Sequence, residues 1–219
     1  MTYKWDFGPI LQYWSLFRIG LEYTLGFTVA SAIVGMAAGL LLTLARRSGW
    51  KILTIPAGAV VEIFRCTPAL VQLVWCYYAL PVVLGISLPP ATAALLALSL
   101  YGAAFYSEIF RAGLDSIDRG QWDAAAALGM PPFTMMRRVI VPQALRRMTA
   151  PLVSQVVLQL KNTSLISVVT VPDLVYQGQM VASATYKPLE VYTTIAVIYF
   201  LILFPLTQGA RLLERRRHG

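Results

Sequence analysis

Few residues in this 219-residue chain have both the type and the spacing to do chemistry, and the informative ones are amides and hydroxyls set inside apolar runs. Thr67-Pro68 interrupts one run, and Gln155, Gln159, Lys161, Asn162, Thr163 and Ser164 interrupt another. Within a bilayer, breaks of this kind are tolerated only where they line a cavity or pack on protein, and the helix ends they leave can hold carboxylate or ammonium groups. Thr67, Gln155, Gln159, Asn162 and Ser164 are therefore the candidate lining of a solute path. For Gln155 and Gln159, hydrogen bonding between helices is an equal alternative. Lys161 reads as an ion-pair or interface residue. The aromatic residues Trp75, Tyr77, Tyr78, Tyr101, Tyr192 and Tyr199 read as packing and interface anchors.

Other chemistries are excluded by what the chain lacks. His218 is the only histidine, which leaves no histidine base and no histidine metal site. Cys66 and Cys76 stand ten apart in an apolar run, with no paired Cys-x-x-Cys, and read as small core residues. There is no GxxxxGK[ST] phosphate loop, so no ATP is bound or hydrolysed here by that device. No cofactor or metal is expected.

The elements that must position the amides follow from composition. Hydrophobic residues make up 58% of the chain and charged residues 13%, with mean hydropathy +0.65. A soluble domain is about half apolar and about a quarter charged, so an ordinary soluble globule is excluded. Five apolar stretches read as spans over about 22–45, 54–80, 90–111, 148–170 and 190–210, within one transmembrane domain covering 1–219. The first is rich in small residues (Gly26, Ala30, Ser31, Gly35, Ala38, Gly39), which favours close helix contact, and no small-residue cleavage pattern follows it, so it reads as a retained span. The stretch from Cys66 to Ser107 is uncharged and broken by Pro81, Gly85, Pro89 and Pro90, hence two spans.

The net charge of +8 reads as membrane topology, not nucleic-acid binding. Segments 46–51, 111–147 and 211–219 hold thirteen of the 18 basic residues, while Lys4, Arg18 and Lys187 fall on the other side. The fold class is all-α integral membrane, with the N-terminus external, the C-terminus cytoplasmic and a long cytoplasmic loop over about 112–147. The tetrapeptide EIFR occurs twice, at Glu62–Arg65 and Glu108–Arg111, and is read as interfacial ion pairing, with related helix ends as the competing reading.

The loop contains QWDAAAALGMPPFTMMRRVIVPQALRR. Asp123 opens a short Ala-rich helix, Gly129 supplies a left-handed end, and Pro131 or Pro132 opens a second short helix. The residues alone leave two readings open: a compact angled pair that docks a partner, or an amphipathic helix lying on lipid headgroups.

Asp123-Ala124-Ala125, three residues, Gly129, nine residues, then Val139-Ile140-Val141-Pro142 resembles the EAA signature of ABC-importer permeases. FRCTPALVQL, EIFRAGLDSI, PQALRR, LKNTSLISVV and PLEVY extend the resemblance to the polar amino-acid permeases, the histidine, glutamine, glutamate and arginine importer group, over nearly the whole chain. Cys66 stands where the family usually has glycine. The resemblance implies a type I importer fold, a separate ABC ATPase subunit carrying ATP and magnesium, an external substrate-binding protein, a second permease subunit, and residence in the bacterial inner membrane. It also implies that Trp122, Asp123, Ala124, Ala125, Gly129 and Pro142 form the ATPase-coupling segment. Neutral or acidic amino acids are expected, because both EIFR glutamates have guanidinium neighbours and no free carboxylate remains for a cationic solute. An ion-gradient transporter would be expected to carry acidic relays inside its spans, and a non-transporting scaffold would have no need of mid-span amides.

Overall fold

The computed structural model describes residues 3–215 and side chains as far as Gly209, so the basic-tail reading on Arg211, Arg215, Arg216 and Arg217, like His218, falls outside the described side chains. All regular elements among the described residues are helical. After a single turn at Gly8–Leu11 come α1 (Trp14–Arg46), α2 (Lys51–Cys66), α3 (Ala69–Leu84), α4 (Pro90–Asp115), α5 (Arg119–Ala127), α6 (Pro132–Val169), α7 (Leu174–Thr185) and α8 (Pro188–Arg215).

Four helices, α1, α4, α6 and α8, are long and apolar enough to cross a bilayer. A fifth crossing exists only if α2 and α3 count as one broken span, because they meet at 111°. The expected continuous span over 54–80 is thus replaced by a bent pair. Pro68 removes an amide donor and forces Thr67 into an extended conformation (φ −109°, ψ 142°), which stops α2 at Cys66.

The centre of the fold is α1 against α4. Thr24, Thr28, Ser31, Gly35, Gly39 and Thr43 recur every three or four residues and form a buried small-residue stripe. It lies on Ser99, Ala103, Tyr106 and Ser107 of α4. The contact is backbone to backbone at Gly39, where a Cβ would sit 2.8 Å from the Ala103 carbonyl and 2.9 Å from the Ser107 amide nitrogen. Thr43 Oγ1 donates to the Ser107 carbonyl at 3.0 Å, so a hydroxyl reinforces an interface that apolar burial cannot drive in lipid. Gly26, named with the same small set, has open space beside it.

Several boundaries differ from the sequence reading. α1 begins at Trp14, not near residue 22. α5 begins at Arg119, not Asp123, because Asp118 caps it by accepting from the Gly120 amide. Pro132 does open a helix, but not a short separate one: α6 runs on without a break to Val169. The segment 171–188 holds α7. Cys76 is buried as expected, whereas Cys66 is exposed, because it ends α2 beside the bend.

Two prolines leave the same mark. Pro81 and Pro142 each follow a π-helical turn, Trp75–Ala79 and Met136–Ile140, in which the residue before the proline donates five residues back: Leu80 to the Trp75 carbonyl, Val141 to the Met136 carbonyl. A wider turn relieves the clash a proline ring makes with the preceding helical turn, so each helix continues. α3 therefore passes Pro81 and ends at Leu84.

At the amino-terminal end, Glu190 of α8 is fully buried and accepts from Tyr3 Oη at 2.6 Å and the Asp6 amide at 3.1 Å. Asp6 also pairs with Lys187, whose ammonium holds the Asp6 carboxyl below its ordinary range.

Candidate functional site

A cleft of about 440 Å³ opens between α4 and α6, floored by Phe105, Ile109, Met148 and Pro151 and carrying Arg65, Glu108 and Gln155. Gln155 reaches it from α6, is 6% exposed, and its Nε2 has no hydrogen-bond acceptor. Glu108 is the charge centre. It pairs with Arg46 of α1, with Arg111 of its own helix at 2.7 Å and with Arg65 of α2 at 3.8 Å. The two EIFR copies therefore differ. The Glu62–Arg65 pair is local, 3.6 Å apart, with the Glu62 side chain 61% exposed, whereas Glu108 is 17% exposed and joins three helices. Asp115 extends the network to Arg47 and Arg111.

The five candidate path residues are not gathered in one place. Gln155 lines the cleft. Thr67 lines a second, apolar cavity of about 440 Å³ with Phe64, Gln72, Trp75, Cys76 and Leu100. Gln159 is fully enclosed, its Nε2 donating to Ser31 Oγ at 2.9 Å and to the Leu98 carbonyl at 2.8 Å, which ties α6 to α1 and α4. Asn162 Nδ2 is buried without a partner. Ser164 turns back on its own helix, donating to the Lys161 carbonyl at 2.7 Å.

One amide at the helix break was missed. Gln72 Nε2 sits 2.8 Å from the Phe64 carbonyl, 3.0 Å from the Thr67 carbonyl and 2.6 Å from Thr67 Oγ1, so it satisfies the acceptors left free where α2 breaks. A lone amide in an apolar run, five residues beyond the Thr67-Pro68 break, was the available signal.

The corner between α5 and α6 is built by backbone chemistry. The Met130 amide donates to the Ala125 carbonyl at 3.2 Å and the Gly129 amide to the Ala126 carbonyl at 2.9 Å, the double closure of a left-handed helix stop, with Gly129 at φ +69°. Ala125 is buried, while Asp123, Ala124, Ala126 and Ala127 face outward. Trp122 packs on the cluster of Ile117, Ile140, Ala144 and Met148, pinning α5 to the root of α6. At the tip, Leu128 is 77% and Phe133 75% exposed. Pro142 sets the π turn that joins this corner to the cleft-lining part of α6.

The described residues thus form an all-helical bundle with a helix pair broken inside an apolar run, a charged cleft and an exposed corner closed by Gly129. The chain belongs to the family of binding-protein-dependent transport system inner membrane components, which its residues 31–219 match. It is 34% identical to the arginine transport system permease protein ArtQ of Bacillus subtilis (strain 168), over 96% of each chain. It is 35% identical to the glutamine transport system permease protein GlnP of Escherichia coli (strain K12), over 97% of this chain and 98% of that one. The crystal structure of an amino acid ABC transporter with histidines superposes with a TM-score of 0.91 at 35% identity, covering 98% of this chain and 100% of that one. The inward-facing MetNI methionine ABC transporter, at 23% identity, 91% coverage of this chain, 95% of that one and a TM-score of 0.75, shares the fold. The chain is a membrane-embedded permease component and not itself an enzyme.

Proposed function

We propose that this permease is the membrane subunit of an ATP-driven importer that carries a polar amino acid by alternating access, and that it prefers neutral or acidic side chains to cationic ones. The observation that carries the reading is the cleft, where the unsatisfied Gln155 amide donor and the Arg65 guanidinium stand beside a carboxylate already shared among three arginines. A zwitterion's carboxylate finds donors there. A cationic side chain finds no free counter-charge, and a desolvated charge without one is disfavoured. Relatives named for arginine and for glutamine bracket the choice.

On this reading a separate ATPase binds ATP and magnesium, an external binding protein delivers the solute, and a second permease, identical or related, completes the pore. The N-terminus faces outward and the corner at Gly129 faces the cytoplasm, where Trp122, Asp123, Ala124, Ala125, Gly129 and Pro142 receive the ATPase.

Uptake into proteoliposomes holding the reconstituted complex should require internal ATP and survive collapse of ion gradients. Glutamine or glutamate should compete better than arginine or lysine. Uptake that stops with an ionophore, or lysine as the best competitor, refutes the respective part. Gln155→Leu and Asn162→Leu should abolish substrate-stimulated ATP hydrolysis with assembly intact. Gln159→Leu should instead lower stability, since it removes the buried amide that joins α6 to Ser31 of α1 and to the Leu98 carbonyl of α4. An impermeant thiol reagent on intact cells should label a cysteine at Ser183 and spare one at Ser116, and the reverse pattern inverts the topology.

A further inference from the structure

The tetrapeptide EIFR is used in two ways, and only the second copy is closed. There Arg111 bonds Glu108 at 2.7 Å and Arg46 bonds the same carboxylate, so its charge is matched within the bundle. In the first copy, Arg65 Nη1 stands 3.6 Å from Glu62 Oε1 and 3.8 Å from Glu108 Oε2. A bonded guanidinium and carboxylate close to about 2.7–2.9 Å. Arg65 is therefore held between two carboxylates and bonded to neither. It lines the cleft, its side chain 37% exposed, where Gln155 carries an amide donor without an acceptor.

Glu62 has no charged partner but Arg65 among the described residues, and Cys66 Sγ, at 3.8 Å, is a weak donor. The Glu62 side chain is nevertheless exposed, within the apolar stretch Val60, Val61, Ile63 and Phe64. A carboxylate is strongly disfavoured against lipid, so this side chain faces water or a polar ligand.

Two opposite charges on one helix face, loosely paired at the edge of a cleft, match the main chain of a free amino acid, whose carboxylate and ammonium leave the same carbon. An exposed i, i+3 pair at this separation contributes little and is readily exchanged for closer bonds. On the reading that the cleft carries an amino acid, we propose that Glu62 and Arg65 are its main-chain clamp. Arg65 takes the α-carboxylate through its planar fork, with Gln155 as a further donor, and Glu62, released from Arg65, takes the α-ammonium. Glu108 keeps Arg46 and Arg111 throughout, so the exchange leaves no charge unpaired. The one carboxylate it frees is consumed by the main chain, and a cationic side chain still finds none.

The test is equilibrium binding of radiolabelled glutamine, glutamate and arginine to the permease–ATPase complex in nanodiscs, without the external binding protein. Each amino acid that binds is competed with its α-amide, which lacks the carboxylate, and with its deaminated acid, which lacks the ammonium. Both analogues should compete on the order of tenfold worse than the amino acid itself, the loss of one charge-assisted bond. Arg65→Gln should erase the penalty on the α-amide and keep that on the deaminated acid, and Glu62→Gln should do the reverse. Arg65→Lys keeps the charge without the fork and should retain part of the α-amide penalty. That crossed pattern is one that damage to the fold does not produce. Penalties unchanged in the variants, penalties lost together, or no saturable binding to the wild type overturn the clamp. So does a Glu62→Gln protein that dissociates the permease pair with both penalties intact, which would place this carboxylate in a subunit interface. The side-chain preference is read separately: arginine as the tightest ligand, with the crossed pattern present, refutes that preference and supports the clamp.

Discussion

Gly129 is the position where a single backbone angle carries a functional claim. Its φ of +69° is left-handed, and no atom lies within 4 Å of where a Cβ would stand. The space is open, so side-chain volume costs nothing locally and only the backbone conformation is at issue. A left-handed residue with a Cβ is strained by about 1–2 kcal/mol, more for a β-branched one, whereas asparagine tolerates the region. The expected order of ATP-driven uptake is therefore Gly129, then Asn, then Ala, then Val. A strain of about 1–3 kcal/mol corresponds to a depletion of the native corner by roughly fivefold to 150-fold. The lost conformation is the one closed by the Met130 to Ala125 and Gly129 to Ala126 hydrogen bonds, and it sets the angle of α5 against α6. Uptake, ATP hydrolysis and co-purification of the ATPase should be measured for all three variants at matched membrane levels. Gly129→Val transporting at the wild-type rate would remove the coupling role from this turn. Gly129→Asn failing as badly as Gly129→Val would show that a partner's surface, not φ, excludes the side chain.

Three further expectations follow from the same geometry. Gly39→Ala places a methyl 2.8–2.9 Å from backbone atoms of α4 that cannot rotate away, and should destabilise the bundle by about 1–3 kcal/mol, read as a lowered thermal midpoint in detergent. Glu108→Gln leaves the Arg46, Arg65 and Arg111 guanidiniums without their shared carboxylate and should cost about 2–4 kcal/mol, while Glu62→Gln, at a 61% exposed side chain, should cost under about 1 kcal/mol; equal losses would contradict the inequality of the two EIFR sites. Pro142→Ala restores the missing amide and lets the π turn relax to an α turn, a change of one residue that rotates the corner by roughly 100° about the axis of α6. Such a protein should fold and bind ATPase poorly, and normal uptake by it would show that the π turn does not set the aim of the corner.

The sequence was most legible where a residue type has only one physical use. Gly129 had to be left-handed because it follows an alanine helix and precedes two prolines, and the small residues of α1 had to meet another helix closely. It was least legible where two uses compete. Proline reads as a breaker, yet Pro81 and Pro142 are absorbed by π turns and only Pro68 ends a helix, a distinction set by the packing around each. The helix α7 is short and mixed in polarity, and its place depends on Gly178 meeting Ile195 of α8, a contact no local pattern announces. Asp173, which caps α7 by accepting from the Tyr176 amide, was a cap signal passed over. Gln159, read with substrate contact and helix bonding in balance, is satisfied by Ser31 and Leu98, partners too distant in sequence to weigh beforehand.

The uninterrupted course of α6 changes what the corner can do. A separate short helix would have to pass a displacement through a loop, which absorbs it. Here Pro132, beside the left-handed turn, and Gln155, in the cleft, belong to one helix, separated by roughly 35 Å of axial rise at about 1.5 Å per residue. On the proposed function, a tilt imposed at Phe133 passes toward Gln155 along helix and not through a loop. Two features interrupt the regular ladder in between, the π turn at Met136–Ile140, followed by Pro142 and packed through Ile140 against Ile117, Ala144 and Met148, and Pro151. Met148 lies in the same cleft wall as Gln155, so the cluster that packs against the corner is also part of the cleft that the proposed function assigns to the solute.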